Sequence, residues 1–239
     1  MTAAVATWPA RRPRGGPRPW EAALFALAFA VSGLVVLTLV FAGPATYADI
    51  ARSSGRETAT FRTIGLPRAV ELGLDQLLGY HVMWTDYVTG RSPGIFRVGG
   101  GGAFTPAEYS HMADVRSVFI TAQIAAVCAA LVLIWLALRG WRRRALARLV
   151  RAGAVSALVA VAVIGVLAAV AFDAAFLLFH QVFFPQGNFL FAPDSNLLAI
   201  YPESYFYGVS LRIGAAFVAL AGVLAVVSHA ALRRRSASA

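Results

Sequence analysis

Lysine is absent from the sequence, cysteine occurs once, and acidic residues number 11 in a chain of 239. Each scarcity excludes something. One cysteine, Cys128, cannot close an intramolecular disulfide, so any domain outside a membrane must hold by its own core. With 13% charged and 59% hydrophobic residues, the chain is too apolar for an ordinary soluble domain of its length. The lack of lysine means that all 21 basic residues are arginine, and where they stand decides what the net charge of +10 signifies. Arg11, Arg12, Arg14 and Arg18 precede the first apolar run. Arg139, Arg142, Arg143, Arg144, Arg148 and Arg151 separate the second from the third. Arg233, Arg234 and Arg235 follow the last. The stretch from Gly43 to Ser117 balances seven arginines with seven acidic residues. Such banding is the mark of membrane topology and excludes a nucleic-acid partner.

What is abundant is long apolar sequence. About 20 residues at ~1.5 Å each cross the ~30 Å of hydrocarbon, and in lipid each run must be a helix to satisfy its backbone. The fold class is a mainly α integral membrane protein: four transmembrane helices over 21–42, 118–138, 152–179 and 210–232, with a small mixed α/β extracytoplasmic domain. Residues 1–20 form an Arg- and Pro-rich cytoplasmic tail, 139–151 a basic cytoplasmic loop, and 233–239 a second cytoplasmic tail. Residues 43–117 are the extracytoplasmic domain and 180–209 an extracytoplasmic loop packed on it. Positive segments stay inside, so both termini are cytoplasmic. The first run is longer than a signal-peptide core, and Gly43-Pro44-Ala45 is a poor cleavage site, so it reads as a retained anchor.

Within 43–117, Phe61 to Leu66 and Ile95 to Val98 have strand-like composition. Pro67 opens a helical stretch with Val70, Leu74, Leu77 and Leu78 on one face, ending near Gly90. Gly99 to Gly102 read as a flexible connector, because no Lys-Ser/Thr follows to make a phosphate loop. Phe104-Thr-Pro-Ala-Glu-Tyr109 is a helix start: Thr105 is the N-cap, Pro106 takes N1, and Glu108 completes a capping box. That helix runs without a break into the second span.

Two of the four histidines have an informative placement. His111 lies 28 residues before Arg139, and His180 lies 29 residues after Arg151. On continuous upright helices both stand ~42–44 Å from the inner charge boundary, or ~12 Å above the outer hydrocarbon edge. Two imidazoles at one depth near the headgroups are well placed to act on a lipid ester. Glu108, His111 and Asp114 share a helical face, and Asp173 precedes His180 by two turns. A carboxylate fixes an imidazole's tautomer and raises its basicity, and Asp173 is costly against lipid, so it is expected to face the interior and support His180. Against this stands the plainer reading that interfacial histidines are boundary residues and Glu108 only a cap. Nothing in the sequence fixes the position of His81, and His229 falls near the cytoplasmic end of the last span. A zinc site of His111, Asp114 and His180 lacks any supporting HExxH or paired cysteine, and Ser110 and Ser195 lack a GxSxG context, so neither a metal nor a serine nucleophile is expected.

Phe104-Thr-Pro-Ala-Glu-Tyr-Ser-His111-Met-Ala-Asp114-Val115 resembles the first motif of the bacterial lipoprotein intramolecular transacylase (Lit) family. Phe179-His180-Gln-Val-Phe183-Phe184, followed by Asp194 and Ile200-Tyr201-Pro202-Glu203, resembles the second. Phe189 and Asn196 depart from the family's usual Trp and Asp-x-Leu-Ile stretch. The resemblance implies a multi-pass protein of the bacterial cytoplasmic membrane that moves the sn-2 acyl chain of a diacylglyceryl lipoprotein to the α-amine of its lipid-modified N-terminal Cys. The lyso-form lipoprotein is the product. It further implies that His111 and His180 are catalytic, that the site faces outward, and that the partners are the lipoprotein substrate and membrane lipids. Ester aminolysis requires no cofactor. Two other classes stay open on the sequence alone: a non-catalytic membrane scaffold and a lipid-ester hydrolase with water as acceptor.

Overall fold

The computed structural model describes residues 16–62, 68–93 and 102–237. In chain order the elements are α1 (Pro19–Phe41), α2 (Pro44–Ser53), β1 (Thr58–Arg62), β2 (Ala69–Gly73), α3 (Leu74–Val88), α4 (Pro106–Arg142), α5 (Leu146–Val170), α6 (Phe172–Phe183), α7 (Asn196–Ile200) and α8 (Glu203–Ala237). Four helices, α1, α4, α5 and α8, are long and apolar enough to cross a membrane. They form a bundle in which α5 packs along both α1 and α8, and α4 lies on α1.

One end of the bundle carries the arginine clusters. Here Glu21 is buried, accepts the Arg18 backbone N–H at 2.9 Å, and takes Arg139 at 2.8 Å and Arg143 at 3.2 Å. One carboxylate thus caps the start of α1 and ties it to the end of α4, which is how a buried charge is made tolerable. Above this clamp, small residues let backbones approach. Gly153 of α5 lies directly against Phe25 of α1, and a Cβ on Gly33 would meet Phe217 of α8 at 2.9 Å. Ala154, Ala157 and Ala221 are fully enclosed.

At the other end α4 extends beyond the apolar run into a cap. Thr105 accepts the Glu108 backbone N–H at 3.2 Å, Pro106 occupies the first turn, and the Phe104 and Tyr109 rings meet at 5.9 Å. The cap consists of α2, the β1–β2 hairpin, α3, α7 and the first turns of α4 and α8, around a core that includes Tyr47, Phe61, Leu77, Trp84, Phe104 and Ile200.

Its local structure differs from the sequence expectation in two places. The helix expected from Pro67 begins only at Leu74, because residues 69–73 pair antiparallel with β1, Thr60 opposite Glu71 and Phe61 opposite Val70. Leu72 is buried while its neighbour Glu71 is exposed, the side-to-side alternation that a strand provides. Residues 44–53 form a helix where no element was expected, with Tyr47, Ile50 and Ala51 on its buried face. Among the described residues the strand content is one two-stranded sheet. Residues 1–15, the expected strand at 95–98 and the glycines at 99–101 lie outside the described residues.

The apolar stretch after Arg151 is likewise not one rod. The chain breaks at Ala171 (φ −120°, ψ 54°) between α5 and α6, so α6 is aimed separately.

Candidate active site

Between α4, α5, α6 and α8, beneath the cap, lies an apolar cavity of about 870 Å³. That is at the upper end of the usual range for small-molecule sites. The capping box sets where α4 begins and so places His111 in its second turn. The break at Ala171 sets the direction of α6 and so places His180. Both rings line the cavity, 6.1 Å apart between centroids and inclined by 19°, and both side chains are buried. Phe176 at 4.2 Å from His180, Phe184 at 4.8 Å and Phe191 at 5.4 Å from His111 hold the two rings in place.

The hydrogen bonds distinguish the two imidazoles. His180 Nδ1 is 2.8 Å from the Phe176 carbonyl. A carbonyl only accepts, so Nδ1 carries the proton and neutral His180 presents a bare lone pair at Nε2. The Nδ1 of His111 is buried without a partner. Asn188 hydrogen-bonds the His111 side chain and also donates to Asp114 at 2.6 Å, while Gln186 donates to the same Asp114 oxygen at 2.8 Å. Asp114 therefore acts on His111 through Asn188 and fixes the 186–188 turn over the site.

The other carboxylates singled out in the sequence stand elsewhere. Glu108 is buried outside the cavity with its oxygens fully used. They accept the Thr105 N–H at 2.6 Å, the Thr105 hydroxyl at 3.0 Å, the Leu197 N–H at 3.0 Å and the Ser195 hydroxyl at 2.5 Å. It staples the start of α4 to the start of α7, a wider structural role than the helix cap alone. Asp173 is exposed and does not bond His180; it hydrogen-bonds Glu203 at the head of α8. The two-turn spacing puts both residues on one side of α6, but it also sets them ~10 Å apart along the axis, and Asp173 meets Glu203 instead. His229 lies on α8 toward the arginine end, away from the site.

His81, whose position the sequence left open, lines the same cavity. It is almost wholly buried, with Nε2 3.0 Å from the Ala42 carbonyl and Nδ1 3.2 Å from the Tyr201 hydroxyl, and it stacks on Tyr47 at 4.4 Å. Nε2 must therefore donate and Nδ1 accept. Burial drives its pKa down to about 4, so it is neutral. Its spacing from Leu77, Trp84 and Val88 was the available signal, since the four share one helical face. Asn188 gave no signal of its own, because its turn is positioned by tertiary contacts.

Among curated proteins none matches this chain. Solved structures do. The membrane integral lipoprotein intramolecular transacylase Lit from Bacillus cereus superposes with a TM-score of 0.70 at 14% identity, over 91% of this chain and 96% of that one. A form of that protein with one histidine mutated to arginine gives a TM-score of 0.67 at 13% identity, over 92% and 94%. At such identities the likeness concerns the fold. The family model described as lipoprotein intramolecular transacylase Lit matches residues 22–206, most of the length, and with it the chain belongs to the Lit family.

Proposed function

We propose that this protein transfers the sn-2 acyl chain of a diacylglyceryl lipoprotein to the α-amine of its N-terminal Cys, using His111 and His180 as an acid–base pair. The observation that carries the assignment of roles is two buried imidazoles 6.1 Å apart at an apolar cavity. His180 acts as base: its Nδ1–H is held by the Phe176 carbonyl, which leaves Nε2 to take the proton from the attacking amine. The amine nitrogen adds to the sn-2 ester carbonyl and forms the new C–N bond. When the tetrahedral intermediate collapses, the ester C–O bond breaks and the glyceryl oxygen leaves with a proton. His111 supplies that proton: burial and the neighbouring His180 push its pKa below the ordinary histidine value, against the smaller opposing pull of Asn188 and Asp114, so it is the ring that gives a proton up readily. Proton transfer of this kind contributes ~10²–10⁴-fold, and confinement of both reacting groups of one substrate supplies more.

The arginine distribution supports a cytoplasmic position for both termini and an outward-facing cap and site, at the bacterial cytoplasmic membrane. In that reading the cap is the extracytoplasmic domain, the segments crossing the bilayer are 21–42, 118–138, 152–179 and 210–232, and lipid lies around them. In a Cys128→Ala background, a cysteine at exposed Glu57 should react with an impermeant thiol reagent in intact cells and one at Arg142 should not. The reverse pattern overturns the orientation.

The activity is tested with a diacylglyceryl lipopeptide bearing a free N-terminus. The starting and product masses are equal, so fragment ions must place the acyl chain on nitrogen. Release of free fatty acid in place of the N-acyl lyso product would make the chain a hydrolase.

A further inference from the structure

A second cavity of about 340 Å³ lies on the cap, walled by α2, β1 and residues 193–204. One side of it is a strand edge. Asn196 bonds both backbone groups of Arg62: its Oδ1 accepts the Arg62 N–H at 2.8 Å, and its Nδ2 donates to the Arg62 carbonyl at 2.7 Å. In an antiparallel pair, residues whose backbone groups face the partner alternate with residues whose groups face away. Arg62 opposite Ala69 is thus an outward-facing position, and by the register so are Thr60 opposite Glu71 and Thr58 opposite Gly73. The N–H and C=O of Thr58 and Thr60 point into this groove, and both residues are exposed. No described element pairs with them. An open edge is normally blocked by proline, lysine, a bulge or a covering segment. Here Asn196 closes one position and shows that this edge accepts ladder-type hydrogen bonds.

We infer that the free edge of β1 binds the extended peptide that follows the lipidated Cys of the substrate, by adding it as a third strand through the backbone of Thr58 and Thr60. The inference rests on the transacylase reading. Leu198 and Tyr205 line both this groove and the histidine cavity, so the two are separated by one wall. With the lipidated residue at His111 and His180, a chain crossing the width of a helix, ~10 Å, needs about three extended residues. The next few residues then lie along β1. Recognition through backbone groups is blind to side chains. It suits a substrate class whose common feature is its modified N-terminus.

The experiment uses the full-length protein and two diacylglyceryl lipopeptides, one ending one residue after the modified Cys and one carrying eight residues. Each strand hydrogen bond contributes about 3- to 10-fold in affinity. The longer substrate should therefore show a KM about tenfold lower or better, with kcat unchanged. Thr60→Pro removes an outward-facing N–H and spares the bonds to β2. It should raise the KM of the long substrate towards that of the short one and leave the short one unaffected.

N-methylation of single backbone amides along the eight-residue substrate, tested on the unmodified protein, should raise KM at every second position. That series decides the matter if Thr60→Pro fails to fold. Equal KM for both lengths, or no alternation, overturns the inference while leaving the transacylase reading standing. Conversion of neither substrate to the N-acyl product overturns that reading and the inference with it.

Discussion

At the arginine end of the bundle, α5 comes so close to α1 that Gly153 has the Phe25 ring against it. Three turns further along the same helix, Gly165 has nothing within 4 Å and borders the large cavity. Both neighbourhoods are built of alanine, valine, leucine and glycine. They differ in what fills the space between helices. At the arginine end, Phe25, Leu136 and Leu149 interlock beneath the Glu21 clamp. Toward the cap, the helices part around aromatic rings and the imidazoles of His81, His111 and His180. The first half is dense and holds the bundle together. The second leaves room for acyl chains, and the fold tolerates the void because its walls are apolar and its polar groups sit at one end.

The largest expected effect comes from the open half. His111→Ala and His180→Ala should each lower acyl transfer by ~10²–10⁴-fold, and the double variant little further, because residues that act as a unit are not additive. Protein level and thermal stability should stay near those of the parent. The proposed roles differ, which gives a finer test. His111→Gln keeps a hydrogen-bond donor and should retain more activity than His180→Gln, which has no base. Equal loss in the two glutamine variants would remove the assignment of base and acid. Full activity in either alanine variant would remove the pair.

Next comes the dense half. Gly153→Leu has no space to occupy and should destabilise the bundle by about 1–3 kcal/mol or more, read as a fall in Tm in detergent. The activity of the fraction that remains folded should be normal. The same substitution three turns along, Gly165→Leu, meets open space. It should leave Tm unchanged and lower kcat/KM by about 10- to 200-fold by occupying volume the substrate needs. If the two glycine variants behave alike, the contrast between dense and open halves is wrong.

How much of this was legible beforehand depends on the kind of signal. The four long helices follow from run length, and the start of α4 from Thr105-Pro106-x-Glu108, because these signals are local and need no partner. Sequence placed His111 and His180 at a common depth by counting along helices, and the structure has them on one cavity although the second helix is broken at Ala171. The β2 strand was illegible because 69–73 can read as helix until β1 supplies a partner. Asp173 was misjudged for a related reason: two turns of helix set it ~10 Å from His180 along the axis, and spacing does not record that Glu203 of the distant α8 meets it first. Asn188 and Tyr201 reach the site from loops folded back over large sequence separations, which no periodicity records.

The smallest expected effect tests whether the cap is a distinct unit from the bundle below it, and it turns on His81. This ring sits on Tyr47 and between Tyr201 and Tyr205, with the Ala42 carbonyl as its acceptor. No described carboxylate faces it, and the Tyr47 hydroxyl is itself pushed up to about 12 by burial, so nothing there offsets a positive charge. The folded pKa of about 4 lies below the ordinary histidine value near 6.5. As pH falls, the unfolded cap takes up a proton before the folded one does. Stability is therefore full above pH ~6.5 and lost progressively as pH falls toward 4, by about 1.4 kcal/mol at pH 5.5. Hydrogen exchange should show the amides of α2 and α3 opening more readily over that interval, while those of α5 around Gly153 stay unchanged. His81→Gln can still donate to the Ala42 carbonyl but does not titrate, so it should lower cap stability at neutral pH and flatten the acid dependence. An unchanged exchange profile in α3 between pH 6.5 and 5 would mean that the ring takes up its proton as easily in the folded cap as in the unfolded one, and the cap would then have no acid-sensitive element at this position.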